Sequence, residues 1–175
     1  LGDRLVMVAM PFAVLSLPGA GLGDVGLVLG SSALTLALFV LVGGVWGDRF
    51  PRQRTMLASD VVRALAQGIT AALLLTGHAT VPLLMASQAV YGAAEAFFRP
   101  AALGLIPQVV RLDQIQPANA LMSLSSNVGM VAGPALAGVL VALAGPGTAV
   151  AVDAGTFAVS ALALLFLRPR PVPPQ

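Results

Sequence analysis

Two acid–base pairs stand at helical spacing inside otherwise apolar text: Asp60 and Arg63 three residues apart, Glu95 and Arg99 four apart. On a helix such residues share a face, so each pair can meet as an ion pair. A charge at mid-bilayer costs about 2.5–3.5 kcal/mol on insertion scales, so it needs a partner, a cavity or a place near the interface. Two roles stay open. Mutual neutralisation near the helix ends is the plainer one. In the other, Glu95, one turn deeper than Arg99, takes up protons from a cavity. Asp153, early in the last apolar segment, reads as a first-turn acid favoured by the helix dipole.

A third concentration of charge runs from Gly43 to Arg54, with Asp48, Arg49, Arg52 and Arg54 inside seven residues of a helix–helix junction. The arginines can be topology determinants that also favour the negative end of the preceding helix. Alternatively, Asp48 and Arg49 belong to an ion-pair and helix-cap network made in one conformation and broken in another.

Other chemistry finds few residues to work with. The sequence has no cysteine and one histidine, His78, which rules out disulfides, thiolate metal sites and a Cys–His pair. No paired carboxylates or metal-ligand spacings have a supporting partner, so no metal, cofactor or enzymatic reaction is implied. The glycines at 21–30 and 43–47 follow no strand, so they read as packing glycines, not a nucleotide loop. All nine basic residues are arginine, the net charge is only +2, and no basic run is interleaved with the nine aromatics, so nucleic-acid binding is not expected.

What must position these charges is a membrane bundle. The 175 residues are 58% hydrophobic and 9% charged, whereas a soluble domain carries roughly a quarter charged residues. A bilayer core takes about 20 apolar residues per helix. Punctuation by Pro, Gly and charge divides the chain into six spans of helical composition, at 1–17, 25–46, 55–76, 83–106, 118–144 and 148–167. The first reaches only about 25 Å at 1.5 Å per residue, so it is read as a truncated helix. A signal peptide cleaved near Ala20 is the alternative. Arg49, Arg52, Arg54, Arg111, Arg168 and Arg170 follow spans two, four and six, and none follows the odd spans. The positive-inside rule then makes that side cytoplasmic, with both ends of the segment inside and His78 outside. The Pro/Arg-rich stretch 168–175 is expected to be a cytoplasmic linker.

The junction resembles the loop-2–3 signature of the major facilitator superfamily, Gly-x-x-x-Asp-Arg/Lys-x-Gly-Arg/Lys-Arg/Lys, with Gly44, Asp48, Arg49 and Arg52 in place, Pro51 for the second glycine and Gln53 for the last basic residue. The run from Gly129 to Gly138 is similar to that superfamily's fifth-helix antiporter motif, Gly-x-x-x-Gly-Pro-x-x-Gly-Gly, through Gly129, Gly133, Pro134 and Gly138, with Ala137 in the penultimate place. Plain small-residue helix packing would also explain it. Leu1-Gly2-Asp3-Arg4, Ser59-Asp60, Arg63-Ala64, Pro117 to Leu121 and Asp153 to Phe157 resemble the branch that includes the enterobactin exporter and macrolide efflux proteins. Gln88 stands four before Gly92, where many proton-coupled drug antiporters carry arginine.

The resemblance implies an all-α membrane protein, the N-terminal six-helix half of a twelve-helix fold. It implies a plasma-membrane exporter of small drug- or siderophore-like molecules, working by alternating access and proton antiport, with a C-terminal half in the same chain or a partner. On that reading Gly44, Asp48, Arg49 and Arg52 form a conformational latch, and Gly129, Gly133, Pro134 and Gly138 a bending and packing surface. Asp3, Arg4 and Glu95 become candidates for the proton and substrate pathway. An uptake symporter of the same fold, or a non-transporting six-span module that binds a partner, are the alternatives.

Overall fold

The computed structural model describes residues 2–167, except for the side chains of Gly2, Asp3, Gly47, Asp48, Arg49 and Leu112. The expected linker at 168–175 lies outside the described residues. Every regular element among them is helical: α1 (Gly2–Leu15), α2 (Leu22–Arg49), α3 (Arg52–Leu75), α4 (Val81–Val109), a 3-10 turn (Leu112–Gln114) and α5 (Ile115–Phe166). Three are long and apolar enough to cross a membrane, Leu22–Trp46, Arg52–Leu75 and Ile115–Phe166.

Straight, the 52 residues of α5 would reach about 78 Å, more than twice a hydrocarbon core. They fold back at Gly145, whose φ of 82° is the left-handed region glycine enters without steric cost. Pro146 follows, where its missing N–H and fixed φ suit a helix start. α5 is therefore two arms, 115–144 and 146–166.

The helices outlast the apolar segments. The junction expected as a loop over 47–54 keeps only Phe50 and Pro51 outside helix, and α4 runs through Pro107 to Val109. Hydropathy marks where apolar solvent must end. The helix continues past that mark because its backbone groups stay paired inside the helix in either medium.

Alternation of direction brings like ends together. Arg52 on α3 donates to the Gly104 carbonyl late in α4, and the Gln53 side-chain amide donates to the Leu164 and Leu167 carbonyls, at 2.5 and 2.8 Å. At the opposite end Leu74 and Leu75 flank Gly147. One end of the bundle thus gathers Arg52, Arg54, Arg99 and Arg111. The other holds the 15–22 turn, His78 and the Gly145 reversal. The main apolar core lies toward that second end, where Val6, Met10 and Val14 of α1 pack with Val28, Leu84 and Val150. The outer surface is also apolar, with Leu22, Leu41, Leu143 and Phe166 each about four-fifths exposed. Soluble monomers seldom carry apolar patches of that kind, and lipid provides the matching solvent.

α2 and α4 run parallel and make the closest crossing. A Cβ at Gly92 would meet the Ser32 carbonyl and Thr35 Oγ1, and one at Gly43 the Ala96 carbonyl. The Ser31 hydroxyl reaches the Met85 carbonyl at 3.0 Å. Small residues at such a crossing let backbones approach, which is what membrane helices use in place of hydrophobic attraction.

Gly92→Val is therefore expected to destabilise the bundle by about 1–3 kcal/mol, the usual range for overpacking. Gly68→Ala, where a Cβ meets open space, should be neutral or slightly stabilising. Unfolding midpoints in detergent test the pair; equal effects would refute close packing at Gly92.

Candidate functional site

Helical spacing on α3 builds a polar stripe: Asp60, Arg63, Gln67 and Thr70, all buried, on one face. The opposite face presents Val61, Leu65 and Ile69 outward. The stripe is covered by α4 and by the second arm of α5.

Arg63 is its centre. One Nη donates to Asp60 Oδ1 at 2.5 Å, and both side chains are about 1–2% exposed. The Asp60 Oδ2 accepts from Ser160 Oγ at 2.6 Å, which ties α3 to the second arm. The guanidinium carbon lies 4.1 Å from the Phe98 ring centre and 4.5 Å from that of Phe157. Phe98 comes from α4 and Phe157 from the second arm, so the cation is clamped between helices as well as paired. Ring faces attract a guanidinium most where water is excluded. Tyr91 completes the aromatic wall, edge-to-face on Phe157 at 5.9 Å.

Further along α3 the partners are neutral. Gln88 of α4 donates to the Gln67 carbonyl oxygen at 3.4 Å. Thr70 and Ser87 hydroxyls lie 2.5 Å apart, and Ser87 also donates to the Ala66 carbonyl at 2.9 Å. The antiparallel register set by Asp60 with Ser160 and Arg63 with Phe157 brings Asp153 level with Gln67. Asp153 is fully buried and is the eighth residue of its arm, two turns in. It is therefore not the first-turn acid the sequence suggested; the turn at Gly145 is tighter than a loop of three residues, so the helix starts earlier.

Glu95 and Arg99 also meet, through two donors of Arg99 on Glu95 Oε1 at 2.8 and 2.5 Å. This pair differs from the first: the Glu95 side chain is 10% exposed, that of Arg99 64%. Among the described residues the guanidinium is held by its carboxylate alone, and most of it is exposed. Arg4 is half-buried on α1, and the Asp3 side chain lies outside the described residues.

At the junction, the side chains of Asp48 and Arg49 likewise lie outside the described residues. Arg52 is engaged with α4 as described. A Cβ at Gly44 would meet open space, while its neighbour Gly43 makes the close approach. Gln53, which departs from the charge pattern of the signature, serves the last carbonyls of the second arm, which helix geometry leaves without partners. On the first arm of α5, Gly129, Gly133 and Ala137 are buried at successive four-residue steps. Pro134 and Gly138 are half-buried, and Gly138 faces open space. Among the described residues no group of acids and histidine could hold a metal ion.

Gln67, Thr70, Ser87, Tyr91, Phe98 and Ser160 are members that sequence reasoning passed over, and Phe157 entered it only within the resemblance at 153–157. The polar 60-63-67-70 spacing on α3 was the available signal. Nothing local to Ser160 or Phe98 tells them from other residues of apolar helices.

A profile of the Major Facilitator Superfamily matches residues 1–175. An uncharacterized MFS-type transporter, YfiS of Bacillus subtilis, is 29% identical over 168 residues, covering 95% of this chain and 39% of its own length. The multidrug efflux pump Tap of Mycolicibacterium fortuitum is 29% identical over 175 residues, covering 95% of this chain and 42% of its own. Tap of Mycobacterium tuberculosis is 29% identical over 177 residues, with 95% and 41% covered. The chain thus spans about two fifths of the length of the curated relatives it matches.

Removing one member of a buried ion pair strands the other, at about 3–5 kcal/mol. Asp60→Ala should cost that much, and Arg63→Met should recover part of it. A double-mutant cycle on unfolding free energies is expected to give a coupling of at least about 1 kcal/mol. Additive losses would show that the two side chains do not act as a unit.

Proposed function

The chain belongs to the major facilitator superfamily, and on that premise we propose that it forms the N-terminal six-helix half of an exporter that moves small drug- or siderophore-like molecules out of the cell. The observation that carries this reading is the likeness to multidrug efflux pumps along 95% of the chain. A C-terminal six-helix half, in the same polypeptide or a partner, would supply the other wall of the cavity, and the two halves would rock about a central site. Proton entry supplies the energy in this scheme. The arginine-bearing end faces the cytoplasm, as the positive-inside rule requires.

The two ion pairs support different assignments. Asp60 and Arg63 are clamped by three helices and have no route to exchange partners without unpacking the bundle, so they fasten α3, α4 and the second arm. Glu95 has a partner on a mostly exposed side chain. When Arg99 swings away, a carboxylate in a nearly dry position is left to take up a proton, and an intramembrane carboxylate of that kind is the usual carrier in proton relays. Glu95 is thus the proposed proton acceptor, with Asp3 and Arg4 of α1 as further candidates for the pathway. Gly44, Asp48, Arg49 and Arg52 form the latch between halves, a reading supported by Arg52, which spans from α3 to α4. Gly129, Gly133, Pro134 and Gly138 provide the flexing and packing surface of the first α5 arm, since proline removes one helix hydrogen bond and glycines admit a close neighbour.

Expressed as the complete reading frame in an efflux-deficient cell, the protein should lower retention of substrates drawn from a drug panel. Asp48→Asn is expected to reduce efflux with membrane insertion intact, and unchanged efflux would remove the latch. Glu95→Gln should flatten the dependence of efflux on an imposed proton gradient; an unaltered gradient response would exclude Glu95 as acceptor. In a cysteine-free background, His78→Cys should react with an impermeant maleimide added outside intact cells and Arg111→Cys should not. The reverse pattern would invert the orientation.

A further inference from the structure

Where α2, α3 and α4 diverge at the arginine end, they leave an open groove of about 520 Å³. Its mouth is marked by Arg54, Phe50 and Trp46, and its inner end by Val62 of α3 and Val90 of α4. Along α3 it extends from Pro51 to Val62, about 16 Å at the helical rise. Its lining is almost wholly apolar. Trp46 and Phe50 stack at 4.9 Å, and Phe97 meets Trp46 edge-on at 6.3 Å.

Charge sits at one end only. Arg52 is engaged by the Gly104 carbonyl. Arg54 is exposed, and its guanidinium has no hydrogen-bond or ion-pair partner among the described residues. A long apolar slot with an exposed cation at its mouth and a tryptophan beside it matches an amphiphile whose anionic head lies at the membrane surface, the depth where tryptophan and arginine anchors sit. We propose that this groove binds an anionic phospholipid, one acyl chain along α3 and the phosphate on Arg54.

The occupant follows from the shape and the surroundings. The inner end is open at the surface of the bundle, where Val62 and Val90 are 38% and 49% exposed, so a tail from a surrounding bilayer can enter sideways. The groove's volume falls within the range of about 300–1,000 Å³ typical of small-molecule sites. Both features hold whichever way the protein transports, so the site stands or falls separately from the exporter reading.

Trp46 is the single tryptophan of the segment and lies in the groove wall, so it reports the occupant directly. The full-length protein, with tryptophans outside this segment replaced by phenylalanine, is placed in zwitterionic vesicles containing a small, equal fraction of either dibromostearoyl phosphatidylglycerol or dibromostearoyl phosphatidylcholine. The phosphatidylglycerol should be enriched at Trp46 about fivefold, the Boltzmann factor for the attraction one arginine supplies at an anionic surface. Arg54→Gln should remove the preference and leave ordinary quenching. Ala58→Phe, which fills the groove from α3, should lower quenching by both lipids. Equal quenching by the two lipids in the unmutated protein would overturn the proposal, as would a preference that survives Arg54→Gln. Quenching by neither would also overturn it.

Discussion

Asp60 and Arg63 are held 2.5 Å apart with almost no exposure, in a bundle whose outward surface is apolar, and the arrangement of α3, α4 and the second arm of α5 follows from that constraint. Ions removed from water in this way must be neutralised and their remaining hydrogen-bonding capacity used, or the segment would not stay in the membrane. The pair on α3 supplies the neutralisation within one helix. Ser160 and the rings of Phe98 and Phe157 supply the rest from two others. α3 can therefore dock in one rotation only, stripe inward, and its neighbours are fixed by which residues they offer to the stripe.

The small-residue crossing of α2 and α4 is the second constraint and works differently. Among the described residues no ion pair joins these helices. Their backbones approach because Gly43 and Gly92 leave no side chain in the way, and Ser31 adds an interhelical hydrogen bond. One side of the bundle is thus fastened by polar contacts and the other by close packing. Between them, at the arginine end, α2 and α3 barely touch, and the groove beside Trp46 is the consequence.

The contrast between the two ion pairs is the link from structure to function. Both read alike in sequence, an acid followed by an arginine one turn on. In the fold, one is caged by three helices and the other is half in solvent. A caged pair resists change and suits fastening. A pair with one mobile member can open at small cost, which a coupling residue needs. The chemistry of the residue types is the same; the desolvation of the arginine separates the roles proposed for them.

The residues alone were enough for an all-helical membrane chain, the pairing of acid with arginine on single helices, the gathering of external arginines at alternate junctions, and the family resemblance. These depend on composition and on contacts three or four residues apart, which a sequence displays directly. The tertiary structure decided what lies between distant segments: that Ser160 meets Asp60 across a hundred positions, that Gln53 serves the end of the last helix, that Gly43 and not Gly44 makes the close approach, and that Asp153 is buried two turns into its arm. Each depends on helix rotation and relative height, and an apolar helix in lipid has many rotations of similar energy until a neighbour's shape or a buried charge selects one.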